Sequence, residues 1–181
     1  MARWIVTGAP GAGKTTVLRE LAARGHDVVP EAATDVIARE QAAGNPEPWT
    51  ADAFVDRVLA LQQARQQPDP PPGHNRLFDR SPVCTHALAV YLGRPLPPAL
   101  TAELERIVDT RTYRREVFLI RPIGFVTRTA ARRIDYRASL DFERVHRDSY
   151  RHFGFHLIDV PPAPAPTRAD LIAGALARAA R

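Results

Sequence analysis

Eight residues near the start of the chain, Gly8-Ala9-Pro10-Gly11-Ala12-Gly13-Lys14-Thr15, fit the spacing GxxxxGK(S/T) without a mismatch. Glycines at these positions let the backbone curl so that successive N–H groups face an anion. A helix that starts at the lysine adds the positive end of its dipole to the same spot. Lys14 is the only lysine in a chain with 25 basic side chains. A compact ammonium on a flexible stem enters such a curl as a point charge, whereas a planar guanidinium needs a wider, bidentate setting. The expectation is that Lys14 reaches the β- and γ-phosphates of ATP and that the Thr15 hydroxyl binds Mg²⁺. Gly8, Ala9, Pro10, Gly11, Ala12, Gly13 and Thr16 complete the phosphate-binding set.

Other charged residues follow apolar runs. Glu31 follows "VVP", Asp79 and Arg80 follow "LF", and Arg121 follows "FLI". In open α/β sheets, ligands lie beyond the carboxyl ends of the strands, so these residues are candidates for the same site. Asp79 is the candidate Mg²⁺ carboxylate, direct or through water, and Arg80 could fork onto a phosphate or the acceptor. Both could instead form an ion pair at a strand terminus. Glu31 is a candidate general base for an acceptor hydroxyl, or else the acid that favours the start of the next helix. In "TRTAARRIDYR", Thr127 to Arg137, the arginines recur at helical spacing. They suggest a lid, about residues 121–138, in which Arg128 and Arg132 neutralise transferring charge; the plainer reading is a solvated basic face.

Strand-length apolar runs must position these groups. They are Arg3 to Thr7, Asp27 to Val29, Leu77 to Phe78, Val117 to Ile120 and Phe155 to Val160. Between them lie helix-period segments with readable ends: Lys14 to Arg24 before Gly25, Ala32 to Ala43 before Gly44, and Ala51 to Gln67 after Thr50 as N-cap. Another runs from Ser81-Pro82 to Gly93, one capped by Ser139 ends at Gly154, and a final helix covers about Arg168 to Ala180. The alternation predicts an α/β fold, a five-stranded parallel sheet with helices on both faces, in a single domain over 1–181.

Composition sets the remaining bounds. The single cysteine, Cys84, rules out an internal disulfide and multi-cysteine metal sites. It reads as a small buried hydrophobe in the first turn of its helix. The histidines show no ligand spacing, so no metal is expected beyond nucleotide-bound Mg²⁺. No apolar run approaches a membrane span and no secretory signal is visible, which leads to the expectation of a cytoplasmic protein without a membrane partner. The net charge of +5 is spread over the chain, with modest clusters at Arg111/Arg114/Arg115 and Arg128 to Arg137. A nucleic-acid partner is therefore not expected, because a binding footprint should be a concentrated stripe.

The combination GAPGAGKTT, VPEAA and FDRS, with an arginine-rich segment before a final strand, resembles the single-domain phosphate-loop proteins of AAA ATPase type. These are similar in turn to nucleoside and nucleotide kinases and to the kinase domain of nicotinamide riboside kinases. The resemblance covers most of the chain and implies a three-layer α/β/α phosphate-loop fold with strand order 2-3-1-4-5. It implies catalytic or acceptor-binding roles for Glu31, Asp79 and Arg80. The chain departs from an AAA motor, which would show an Asp-Glu pair after a strand and a helical second domain; here Asp79 is followed by Arg80. Two functions follow as expectations. One is an ATP-dependent phosphotransferase acting on a small-molecule acceptor such as a nucleoside, nucleotide or related metabolite; the other is a regulatory ATPase or nucleotide-dependent switch. A homodimer is compatible with either.

Overall fold

The computed structural model describes residues 2–67, 74–123 and 136–179. In chain order the elements are β1 (Ala2–Thr7), α1 (Lys14–Ala23), β2 (Asp27–Val29), α2 (Ala32–Ala42), a 3-10 turn (Pro48–Thr50), α3 (Phe54–Arg65), β3 (Asn75–Asp79), α4 (Pro82–Tyr91), α5 (Pro98–Asp109), β4 (Glu116–Ile120), α6 (Tyr136–His152), β5 (His156–Val160) and α7 (Ala165–Ala179). The strands form one parallel sheet in the order β2-β3-β1-β4-β5.

The alternation of strand side chains builds the two outer layers. Trp4, Val6, Leu77, Phe118 and Ile120 point to one face, where they pack with Leu18 and Leu21 of α1 and Ile172 and Leu176 of α7. Ile5, Phe78 and Val117 point to the other, where they meet Val55 and Leu59 of α3, Val83 of α4, Leu100, Leu104 and Ile107 of α5, and Tyr150 of α6. The result is the three-layer α/β/α fold, with β1 in the centre and Ile5 and Val6 fully buried. All strands run in the same direction, so the turns after β1, β2 and β3 converge at one edge. No helix of the described residues is long and apolar enough to cross a membrane.

Three helix starts differ from the sequence expectation. The spacing predicts a helix from Ala51 capped by Thr50, but α3 begins at Phe54. The Thr50 hydroxyl instead donates to Glu47 O at 2.7 Å and closes the short 3-10 turn. Ser139 is predicted as a cap, yet α6 begins at Tyr136 and Ser139 is buried inside it. Helix α7 begins at Ala165, three residues before the predicted start, so Arg168 lies in its first turn. Ser81 is the N-cap of α4 by position, with extended backbone, but makes no side-chain cap bond.

Candidate functional site

The loop between β1 and α1 is fixed by close backbone approach. Gly8 has φ 147°, and a Cβ there would lie 2.5 Å from the carbonyl oxygen of Ile120 in β4. Only glycine lets the chain leave the sheet so near its neighbour. Gly13 is the N-cap residue of α1, in left-handed conformation and with no side-chain cap. The first-turn N–H groups of α1 therefore carry no capping acceptor, the state of a helix start that an anion can complete.

Lys14 opens α1 with 6% exposure. Its Nζ donates to Gly8 O at 3.1 Å and Ala9 O at 3.3 Å, so the ammonium folds back over its own loop. Burial, then the Arg80 charge, lowers its pKa to about 8, against the pull of Asp79 and Glu31. Thr15 and Thr16 follow on the exposed side of the first turn.

A buried arginine braces the loop from behind. Arg168, 2% exposed, donates through Nη1 to Ala12 O at 2.7 Å. In a trans peptide the C=O and the next N–H point opposite ways, so a carbonyl held toward α7 turns the Gly13 N–H to the other side. Nε and Nη2 of Arg168 have no hydrogen-bond partner among the described residues, and burial lowers its pKa. The sequence reading missed this residue. Its signal was available: Arg168, Ile172 and Leu176 recur at spacing four, which places an arginine on the apolar stripe of α7.

Lys14, Glu31, Asp79 and Arg80 come together. Glu31 is the N-cap residue of α2 and makes no side-chain cap bond. Its Oε1 lies 2.6 Å from Arg80 Nε, and its Oε2 accepts from the Thr34 hydroxyl at 3.0 Å. Burial alone would raise the Glu31 pKa, but Arg80 and Lys14 outweigh it and hold the carboxylate ionised. The ion pair expected for Arg80 is thus made with Glu31 across the site. Arg80 sits at φ 73° between β3 and α4, a conformation that costs a non-glycine residue about 1 kcal/mol. Its Nη1 lies 2.8 Å from His146 Nε2. Burial and the Arg80 charge lower the His146 pKa to about 3, so this imidazole is neutral and can accept from the guanidinium.

Asp79 ends β3 at 8% exposure. Its Oδ1 is buried with no hydrogen-bond partner among the described residues, and burial raises its pKa to about 6 despite Lys14. A buried carboxylate oxygen without a donor, at the strand end beside the loop, fits a hard divalent cation or its water shell. Among the described residues no group of three or more His, Cys, Asp or Glu could hold a metal without other ligands. Below the site, the Thr7 hydroxyl, the Cys84 thiol, the Tyr150 hydroxyl and the Ser81 hydroxyl form a buried chain with steps of 3.2, 3.1 and 2.9 Å. Ser81 spends its hydroxyl here, which explains the missing cap bond.

A cavity of about 210 Å³ opens from the loop residue Pro10 past Glu31 and Arg80. Its far walls are Trp49, Phe54, Leu88 and Phe142, with Gln62 as a polar group. The Thr85 hydroxyl donates to Gln62 Oε1 at 2.9 Å, which leaves the Gln62 amide nitrogen as a donor. Arg128 and Arg132 lie outside the described residues, as does most of the predicted lid. Of its flanks, Arg121 pairs with Glu143 of α6, and Arg137 is exposed in the first turn of α6.

Comparison with known proteins places the chain. No significant match exists among curated proteins. Solved structures of deoxyadenosine kinase from M. mycoides share the fold. The dCTP-bound form is 16% identical with TM-score 0.63, over 98% of this chain and 100% of that one. The form with dCMP and dCDP is 15% identical with TM-score 0.61, over 98% and 99%. The dATP-bound form is 12% identical with TM-score 0.53, over 97% and 99%. A family model described as "AAA domain" matches residues 3–168, nearly the whole of the loop, sheet and site described above; the chain belongs to this AAA domain family of phosphate-loop NTPases.

Proposed function

We propose that the chain transfers the γ-phosphoryl group of ATP to a small-molecule acceptor bound in the cavity beside Glu31. The observation that carries this reading is the continuity of the cavity. It begins at the phosphate loop, passes the Glu31–Arg80 pair, and ends among aromatic and aliphatic side chains with one amide. Such a pocket suits a ring-bearing metabolite with a hydroxyl or phosphate directed at the loop. The shared fold with a deoxyadenosine kinase supports an acceptor of the nucleoside or nucleotide class.

In this reading Lys14 leaves the Gly8 and Ala9 carbonyls and takes the β- and γ-phosphates, and the loop amides with the start of α1 cradle the chain of phosphates. Glu31, ionised by Arg80, accepts the proton of the acceptor hydroxyl or orients it. Arg80 lies where it can neutralise charge on the acceptor side. Thr15 and Asp79 would hold Mg²⁺, which supplies charge neutralisation for the triphosphate. The arrangement makes no covalent intermediate and works by positioning and electrostatics.

The test is a screen of nucleosides, nucleotides and related metabolites for acceptor-dependent ADP formation. A kinase forms little ADP until its acceptor is added. ADP formation at one rate with every compound, or stimulated only by a macromolecule, would replace this reading with that of a regulatory ATPase.

A further inference from the structure

The cluster Arg111/Arg114/Arg115 has no part in the site above. It lies at the opposite end of the sheet, near Ala2 at the start of β1. Since β1 spans Ala2–Thr7, about 17 Å of strand separates it from the phosphate loop. There Arg3, Arg106, Arg111, Arg114 and Arg115 line one cleft of about 770 Å³. Two carboxylates oppose them. Glu116 on the cleft wall meets Arg114 at 3.3 Å, and buried Glu103 holds Arg106 at 2.7 Å. The cleft keeps a net positive charge. Arg115 is spread between Phe153 O and Val108 O, while Arg111 is exposed and no group among the described residues holds its guanidinium.

The backbone at Arg111 is the second observation. Five helices end in the same paired motif. At α5, Thr112 N–H bonds Ile107 O and Arg111 N–H bonds Val108 O; the ends of α1, α2, α4 and α6 repeat the pattern. The residue that must turn left-handed is Gly25, Gly44, Gly93 or Gly154 at the other four, and Arg111, φ 48°, at α5. Glycine is the unstrained choice at this position. Only two non-glycine residues among those described have positive φ, Arg80 and Arg111. One lies in the candidate catalytic site, and the other aligns with an arginine-lined cleft. Backbone strain kept at a charged residue points to a use for its side chain.

We propose that this cleft is a second anion site, built for the phosphate chain of a nucleotide or of inorganic polyphosphate. Arg111 and Arg114 present exposed guanidinium groups in a concavity whose other arginines are held by the protein, Arg3 by Gln66 O, Arg106 by Glu103 and Arg115 by the two carbonyls, and guanidinium groups meet phosphates with forked, charge-assisted bonds. A nucleic-acid track would instead run as a stripe along an open surface.

The experiment is calorimetric titration of the full chain with inorganic tripolyphosphate, compared with Lys14→Ala, with Arg111→Gly combined with Arg114→Gln, and with all three changes together. Lys14→Ala weakens the phosphate loop, and the part of the surviving binding that depends on Arg111 and Arg114 belongs to the cleft. That surviving binding should weaken at least about tenfold in the triple variant. Arg111→Gly places the residue of the other four helix ends at this turn, so its Tm should not fall below the parent's. Loss of all tripolyphosphate binding in Lys14→Ala would overturn the proposal, as would survival of full affinity in the triple variant. ATP binding at the cleft without tripolyphosphate binding would also overturn it, since a base and not a phosphate chain would then be read. So would Arg111-dependent binding of a single-stranded oligonucleotide in the absence of tripolyphosphate binding. These results are independent of any outcome at the acceptor cavity.

Discussion

The charges on the outer helices and those under the phosphate loop obey different rules. On the outside, Arg24 at the end of α1 meets Asp170 of α7 at 2.6 Å and Arg57 of α3 meets Glu40 of α2, within reach of water. Under the loop, Lys14 and Asp79 are buried beside the half-buried Arg80 and Glu31, and one ion pair forms, Arg80 with Glu31 at 2.6 Å. Lys14 bonds carbonyls, and Asp79 keeps an oxygen without a donor. Surface pairs contribute little to stability and cost little, whereas buried groups left incompletely paired cost several kcal/mol. The sheet edge therefore carries charges that destabilise the ligand-free fold, and a bound triphosphate with its cation is what would complete them.

Breaking that contrast at Lys14 should give the largest effect. Lys14→Ala should lower the kcat/KM for ATP by about 10² to 10³, the loss expected when one pre-organised charge donor is removed. Its Tm should be equal to or above the parent's, because a desolvated cation disappears. Steady-state kinetics with ATP and a melting curve check both halves; unchanged ATP affinity by calorimetry in a folded variant would remove the loop from the account.

Asp79→Asn sharpens the contrast through pH. The Asp79 carboxyl is held at about 6, above 3.8 in the unfolded chain. The folded state thus binds this proton more tightly, and ionisation costs stability progressively as pH rises from about 4 to 6. The Asn variant should be more stable on the order of 2–3 kcal/mol above pH 6, about half that near pH 5, and equal below pH 4. Urea midpoints at pH 5 and 7.5 measure it, and a gain independent of pH would contradict the assignment of the cost to ionisation. The same variant should lose ATP-dependent transfer.

Arg168→Leu acts one layer behind. Leucine suits the apolar stripe of α7, but it frees the Ala12 carbonyl that fixes the Gly13 peptide. ATP affinity should weaken about tenfold, the worth of one charge-assisted hydrogen bond, with kcat for bound ATP nearly unchanged. A drop in kcat alone would argue against a role in orienting the loop. The smallest effect belongs to the outer surface: Arg24→Ala should change stability by less than about 1 kcal/mol and leave catalysis intact. A larger loss would erase the contrast.

Much of this was legible in the residues. GxxxxGKT between an apolar run and a helix-period run located the loop, because spacing, strand and helix all point to one geometry. The strand-end positions of Glu31, Asp79 and Arg80 followed from the rule that parallel strands present their carboxyl ends together. What they do to one another did not follow. That Arg80 turns left-handed and pairs with Glu31 instead of Asp79 depends on how β2, β3 and α4 meet, which no local pattern encodes. Ser139 has the residue type of a cap, yet α6 begins at Tyr136 and Ser139 is buried within it. Arg168 was hidden because an arginine in a chain with 25 basic residues draws no notice, although its place on an apolar stripe should have.

The most direct test of phosphoryl transfer at this site uses Glu31→Gln. Glutamine keeps the oxygen that Arg80 approaches and removes the negative charge, so the pocket stays filled while the base is lost. Single-turnover transfer from saturating ATP to an acceptor identified by the screen should slow by about 10² to 10⁴, with ATP affinity within about threefold of the parent. A parent-like rate would rule out Glu31 as the base and contradict the proposal that this set of charges exists to move a phosphoryl group.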